Sequence, residues 1–253
     1  MLTPVSEIGS ILILKGDRLC ADLLRQAALQ VFPAACVKLV SRVNDGLAAL
    51  TEASFDLLLT GINLPDGDVL DLLASSKQQH RFRHVMAVTG CKELRILLSL
   101  RELSVDGVFD PLDEGLDQLC NAFRLIAAGY AYWSPNILEV LRLRRMSPNA
   151  FYHLLTPTEQ LVLAVIGDGS DDHAAADQLG MQPASIQSIR RDLHRKLGVQ
   201  HKGQLMRLAV QHGYVRFTPH GILRPGFSIL LAACQTYQSR RSTMPPAQVS
   251  WEK

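Results

Sequence analysis

Two groups of charged residues in this chain are spaced for chemistry. The first is Arg190, Arg191, Arg195 and Lys196, which face the single acid Asp192 within the run from Ser185 to Val199. Apolar Ile186, Ile189, Leu193 and Leu197 recur three or four apart through the same run. A helix over it therefore buries one stripe and turns the cations outward. Such a density of positive charge suits a polyanion better than a neutral partner. The second group is a set of carboxylates, Asp17, Asp66 and Asp110, each beside a short apolar run, with Lys15 close to the first. Carboxylates gathered in one crevice can hold a divalent cation, while loop aspartates near Gly and Pro serve as turn formers. Lys15 placed beside Asp110 would form a salt bridge.

The elements that must position the basic run can be read on either side of it. Leu155-Thr156-Pro157-Thr158-Glu159 opens a helix: Thr156 can cap, Pro157 fits the first helical position and Glu159 can reach back to close a capping box. Leu161, Val162, Val165 and Ile166 supply its buried face until Gly167 and Gly169 stop it. A short Ala-rich helix from Asp172 to Leu179 and a turn from Gly180 to Pro183 lead into the basic helix, which Gly198 ends. That order is a helix-turn-helix, and the small residues Ala175 and Ala176 allow close packing of its two helices.

From Leu155 to Ala209 the chain resembles the LuxR-type DNA-binding domain. The residues that carry the resemblance are Leu155, Thr156, Glu159, Gly169, Ala176, Leu179, Ser185, Ile186, Lys196, Leu197, Gly198 and Val199. It implies a double-stranded DNA partner contacted by Ser185, Gln187, Ser188, Arg190, Arg191, Arg195, Lys196 and Lys202. Gln187 and Ile189 depart from the family, which there favours a basic residue and a histidine. Gln187 keeps the ability to pair bidentately with adenine. Asp171, Asp172 and Asp177 add negative charge nearby.

Upstream, apolar runs alternate with amphipathic stretches, as expected of parallel strands joined by helices. The expected strands are Ser10 to Leu14, Val37 to Val43, Leu57 to Thr60, Val85 to Val88 and Gly107 to Phe109. Helices are expected at Leu19 to Val31, Asp45 to Ala53, Val69 to His80, Glu93 to Leu103 and Gly115 to Ala128. The stretch from Phe55 to Gly67 looks like the third strand and following loop of a receiver domain, and the whole resembles the NarL/FixJ response regulators. The fold implied is α/β: a five-stranded, parallel, doubly wound, flavodoxin-like receiver over residues 1–128. A linker with a helix follows over 129–150, then an all-α, four-helix helix-turn-helix domain over 151–217 and an extension over 218–253. In that family a receiver takes phosphate on an aspartate, with an acidic pair holding Mg²⁺, a hydroxyl and a lysine. Here the acceptor position falls on Gly61 and the acidic pair on Lys15 and Gly16, with Asp17 displaced by one. Thr89 keeps the hydroxyl, and the lysine position falls on Asp110 or Pro111. Phosphoryl transfer needs these groups together, so the expectation is a degenerate receiver without metal, cofactor or enzymatic activity.

Composition agrees with two domains. A chain of 253 residues can bury a core in each, and a net charge of only +2 conceals a basic stretch from Pro183 to Phe217. No apolar run of membrane length and no secretory leader are evident, so a cytoplasmic protein is expected. Cys20, Cys36, Cys91, Cys120 and Cys234 lack metal-ligand spacing and read as reduced, mostly buried thiols. The aromatics Tyr130, Tyr132 and Trp133 are expected to pack on the receiver's last helix. Phe227 to Tyr237 reads as a further apolar helix in want of a partner surface, followed by a polar end expected to be disordered. Homodimerisation through the receiver, this helix or both is expected, because two-fold operators need two copies. A protein or small-molecule regulator could replace phosphate as the signal. The rival reading is a pseudo-receiver module that titrates a protein partner.

Overall fold

The computed structural model describes residues 7–145 and 154–243. The expected linker at Ser147 to Asn149 and the last ten residues, 244–253, lie outside them. The first domain runs β1 (Ser10–Leu14), α1 (Arg18–Val31), β2 (Cys36–Val40), α2 (Val43–Glu52), β3 (Phe55–Thr60), α3 (Val69–Gln78), β4 (Phe82–Val88), α4 (Leu94–Glu102), β5 (Gly107–Phe109) and α5 (Leu116–Ala127). Next come β6 (Tyr132–Trp133) and α6 (Pro135–Arg145). The strands form one sheet in the order β2-β1-β3-β4-β5-β6, all parallel. Strand pleating divides β1 between two cores. Ile11 and Ile13 face α1 and α5, whereas Leu12 and Leu14 face α2, α3 and α4. Both faces are covered, which is why the strands read as continuous apolar runs.

The sheet has six strands, not the five expected. β6 pairs Tyr132 with Gly107 and Trp133 with Val108, so the receiver-like domain continues past the expected boundary at 128. Two residues are too few to show an alternating pattern. The aromatics also divide: Tyr132 packs on the α5 face, Trp133 on the opposite face, and Tyr130 is exposed. β2 ends at Val40 rather than Val43, because Arg42 is already the N-cap of α2 and Val43 its first buried residue.

The second domain contains α7 (Pro157–Ile166), α8 (Asp172–Leu179), α9 (Pro183–Leu197) and α10 (Lys202–Gln211). The capping box of Thr156 and Glu159 forms as expected. Gly180 and Gly198 take positive φ at the ends of α8 and α9. Gly167 is needed for space instead: its φ is −68°, and a Cβ there would lie 2.4 Å from that of Ala209. The domain is not purely helical at its C-terminal side. β7 (Arg216–Thr218) and β8 (Gly221–Leu223) form an antiparallel hairpin that crosses the expected boundary at 217. α11 (Phe227–Thr243) follows, longer than the helix read from the sequence. Its Leu230 and Cys234 belong to the helix-turn-helix core, while Ile229 packs against the core of the first domain. The apolar residues expected to seek a partner are thus largely covered within the chain.

Candidate nucleic-acid interface and the receiver crevice

Helix α9 buries Ile186 and Leu193 fully and Ile189 and Leu197 partly, as its spacing requires. Ser185, Gln187, Ser188, Arg191 and Arg195 are exposed on the helix, and Lys202 is exposed at the start of α10. Two of the expected contact residues are engaged elsewhere. Arg190 pairs at 2.7 Å with Asp172 of α8. Lys196 donates at 2.8 Å to Glu159, the carboxylate that closes the α7 capping box. Partial burial would raise the Glu159 carboxyl, but hydrogen bonds from Lys196 and Thr156 hold it below the usual range. The lysine of the K-L-G-V sequence therefore pins α9 to α7. Arg195 carries an exposed i,i+3 pair with Asp192 at 2.7 Å, which gives way readily to a stronger anion. Among the described residues, the Arg191 guanidinium hydrogen-bonds to the carbonyl of Gln187, at 3.4 Å, and pairs with no acid.

At the carboxyl ends of the strands Asp17, Asp66 and Asp110 are engaged separately, the first two as helix caps. Asp17 caps α1 through the Cys20 N–H at 2.8 Å, which holds its carboxyl below the ordinary value. Asp66 accepts from the Val43 and Asn44 N–H groups at the start of α2. Asp110 is fully buried and accepts from Asn136 of α6 at 2.6 Å and from the Leu112 N–H at 2.9 Å, with Lys92 at 3.6 Å. Among the described residues, no group of three or more His, Cys, Asp or Glu side chains is placed to hold a metal ion. Among the described residues Lys15 and Asp110, which could have paired, do not; the cation near Asp110 is Lys92. Lys15 instead crosses the crevice to donate to the Val88 carbonyl at 3.0 Å. Its chain lies over Gly61, where a Cβ would meet Lys15 Cδ at 3.0 Å and Nζ at 3.4 Å.

Thr89 is buried and its hydroxyl accepts from the Cys91 N–H at 3.1 Å. Gly16 packs against Pro65. What remains is an open crevice of about 350 Å³ lined by Lys15, Asn63, Thr89, Cys91 and Glu93, among others. Burial, with Glu93 beside it, pushes the Cys91 thiol up to about 12, so it is no nucleophile near neutrality. Sequence reasoning missed Asn136 and Ser134. The Ser134 hydroxyl accepts from the Asp110 N–H at 2.8 Å, tying the end of β5 to the residues after β6. Only the position of Ser134 ahead of Pro135 hinted at a helix cap.

Residues 153–209 match the model for bacterial regulatory proteins of the luxR family. The chain is 28% identical over 176 residues to the response regulator GacA of Pseudomonas syringae pv. syringae, covering 68% of this chain and 81% of that one. It is 30% identical over 103 residues to the transcriptional regulatory protein MctR of Rhizobium johnstonii, covering 41% of this chain and 47% of that one. The fold is similar to that of RcsB from Salmonella enterica serovar Typhimurium bound to promoter P1flhDC in the presence of phosphomimetic BeF3-. The TM-score is 0.56 at 17% identity, with 80% of this chain and 97% of that one covered. The chain therefore has the architecture of a response regulator, a receiver-like α/β domain followed by a LuxR-type helix-turn-helix domain. No helix among the described residues is long and apolar enough to cross a membrane.

Proposed function

We propose that this chain is a DNA-binding transcriptional regulator of response-regulator type, that it acts as a homodimer and that aspartyl phosphorylation does not switch it. The observation that carries the DNA reading is the exposed face of α9. Ser185, Gln187, Ser188, Arg191 and Arg195 stand in solvent, while the apolar stripe of the helix is consumed by α7 and α8. Gln187 and Arg191 suit base edges or phosphates, and Arg195 and Lys202 suit phosphates. Arg190 and Lys196 act at one remove, by holding α9 against α8 and α7.

Phosphorylation independence is supported by the crevice. Gly61 offers no carboxylate, and the lysine side chain above it occupies the space that one would fill. The acids that could hold Mg²⁺ are committed to helix caps and to Asn136. The test of DNA binding is duplex affinity across a salt series for the wild type and for Arg191→Glu with Arg195→Glu. Wild-type affinity is expected to fall steeply with salt and the double variant to lose binding while keeping its helical circular dichroism. Unchanged affinity in the variant overturns the assignment. Specific wild-type capture of a protein that is insensitive to salt would favour the titration module instead.

A further inference from the structure

Helix α4 is buried on nearly every side: Leu94, Arg95, Ile96, Leu97, Ser99 and Leu100 are all shielded. A surface helix of an α/β domain should show a polar face, and here that face is covered by the chain's own C-terminal part. Arg95 is 6% exposed. It donates to the Gly213 carbonyl at 3.0 Å and to the Gly226 carbonyl at 3.1 Å, with its guanidinium 5.0 Å from the centre of the Tyr214 ring. Gly213 and Gly226 both have positive φ, and a Cβ at either would meet the first domain within 3.1 to 3.3 Å.

The first turn of α11 is capped across the domain boundary. Asp68, the N-cap of α3, accepts from the Gly226 N–H, and Asp71 accepts from the Ser228 N–H at 3.1 Å and from the Ser228 hydroxyl. The N–H groups of a helix start must find acceptors; that of Phe227 finds the Arg224 carbonyl, while those of Gly226 and Ser228 find carboxylates of the other domain. Docking and completion of α11 are in this way one event.

We propose that residues 213–230 form a proton-sensitive strap, which docks the helix-turn-helix domain on α3 and α4 more tightly when the carboxylate pair Asp68 and Asp71 carries a proton. Docking closes the second domain over a charge cluster that the first domain already holds: Asp68 at the start of α3, Asp71 on α3, and Arg95 on α4 with Glu102 farther along; it brings Tyr214 beneath the guanidinium and the Gly226 N–H onto Asp68. Burial, reinforced by Asp71, pushes the Asp68 carboxyl up to about 6, against the pull of the Gly226 and Leu70 N–H groups and of Arg95. Glu102 is also raised by burial. Asp71 acts on Asp68 in either arrangement, so the part that docking adds is the burial by the segment around Gly226; that part makes the pKa higher docked than undocked and favours docking in acid. That contribution is complete below the ordinary carboxylate range and is lost as the pH rises through about 6.

None of this requires DNA, so hydrogen exchange of the full chain alone is the test. Amide protection over Ser228 to Leu230, corrected for intrinsic exchange, should be about tenfold greater near pH 5 than near pH 7. The radius of gyration from small-angle scattering should rise over the same interval. Asp68→Asn, a neutral isostere, should show the acid-level protection at both pH values. Equal protection of the wild type at both pH values overturns the strap, and so does an undiminished pH dependence in Asp68→Asn. Should that variant fail to fold, Ser228→Ala removes a surface contact to Asp71 and leaves Asp68 in place. It should lower protection at both pH values and keep the tenfold ratio; loss of the ratio there overturns the role of Asp68.

Discussion

Four basic residues that look interchangeable on one helix have different duties. Lys196 reaches a nearly buried carboxylate, so its removal leaves Glu159 short of a charged partner. Lys196→Ala is expected to destabilise the chain by about 1–2 kcal/mol in chemical denaturation. Arg191 pairs with no acid among the described residues, and Arg191→Ala should leave stability unchanged within about 0.5 kcal/mol. The same variant should weaken duplex binding and lower the salt slope by about one counterion. Equal stability losses in the two variants would show that the division between scaffold and contact residues is wrong. Arg190 lies between these cases, about a third exposed and held by Asp172. Its partner lies in the distant half of the motif, so the sequence of α9 alone could not separate it from Arg191.

Among elements, the ends of β1, β3 and β5 define what the receiver can do. Lys15 at the end of β1 covers Gly61 after β3, and Asp110 after β5 is buried against α6. Gly61→Asp would place a carboxylate against the lysine chain, where charge pairing with Nζ competes with any phosphodonor. It brings no acidic pair for Mg²⁺, and the groups of such a site act as a unit. Incubation of the wild type and Gly61→Asp with a small-molecule phosphodonor and Mg²⁺ should yield no phosphoryl adduct by intact mass on either protein. A hydroxylamine-labile adduct on the wild type would show that another aspartate has taken over.

For the whole molecule, the cross-domain use of α11 changes how assembly is to be tested. Removing the chain after Thr218 would take Leu230 and Cys234 from the helix-turn-helix core, so loss of a dimer in that form would reflect unfolding. The first domain presents a better surface: Leu19 and Leu23, one turn apart on α1, are 71% and 54% exposed. Sedimentation of the full chain is expected to give a dimer, and Leu19→Glu with Leu23→Glu to give a monomer of unchanged helicity. A wild-type monomer at concentrations where it binds DNA defeats the homodimer. A dimer that survives both charges places its interface elsewhere.

Periodicity and capping chemistry are local, and they determined most elements of both domains before any coordinates. Thr156, Pro157 and Glu159 start α7 whatever surrounds them, Gly198 ends α9, and the apolar runs of β1 and β3 demand a sheet covered on both faces. That position 61 offers no carboxylate was equally legible, because a glycine has no side chain wherever the fold places it. Contacts between distant segments were not legible. Two-residue β6 exists only because β5 offers it an edge. Asp66 caps α2 because that helix begins beside it. Arg95 stands on α4 and Asp68 at the start of α3, and nothing in their immediate sequence gives either a partner. Only the tertiary structure buries Arg95 and half-buries Asp68, since their partners Gly213 and Gly226 lie 118 to 158 residues away and no local pattern encodes that distance.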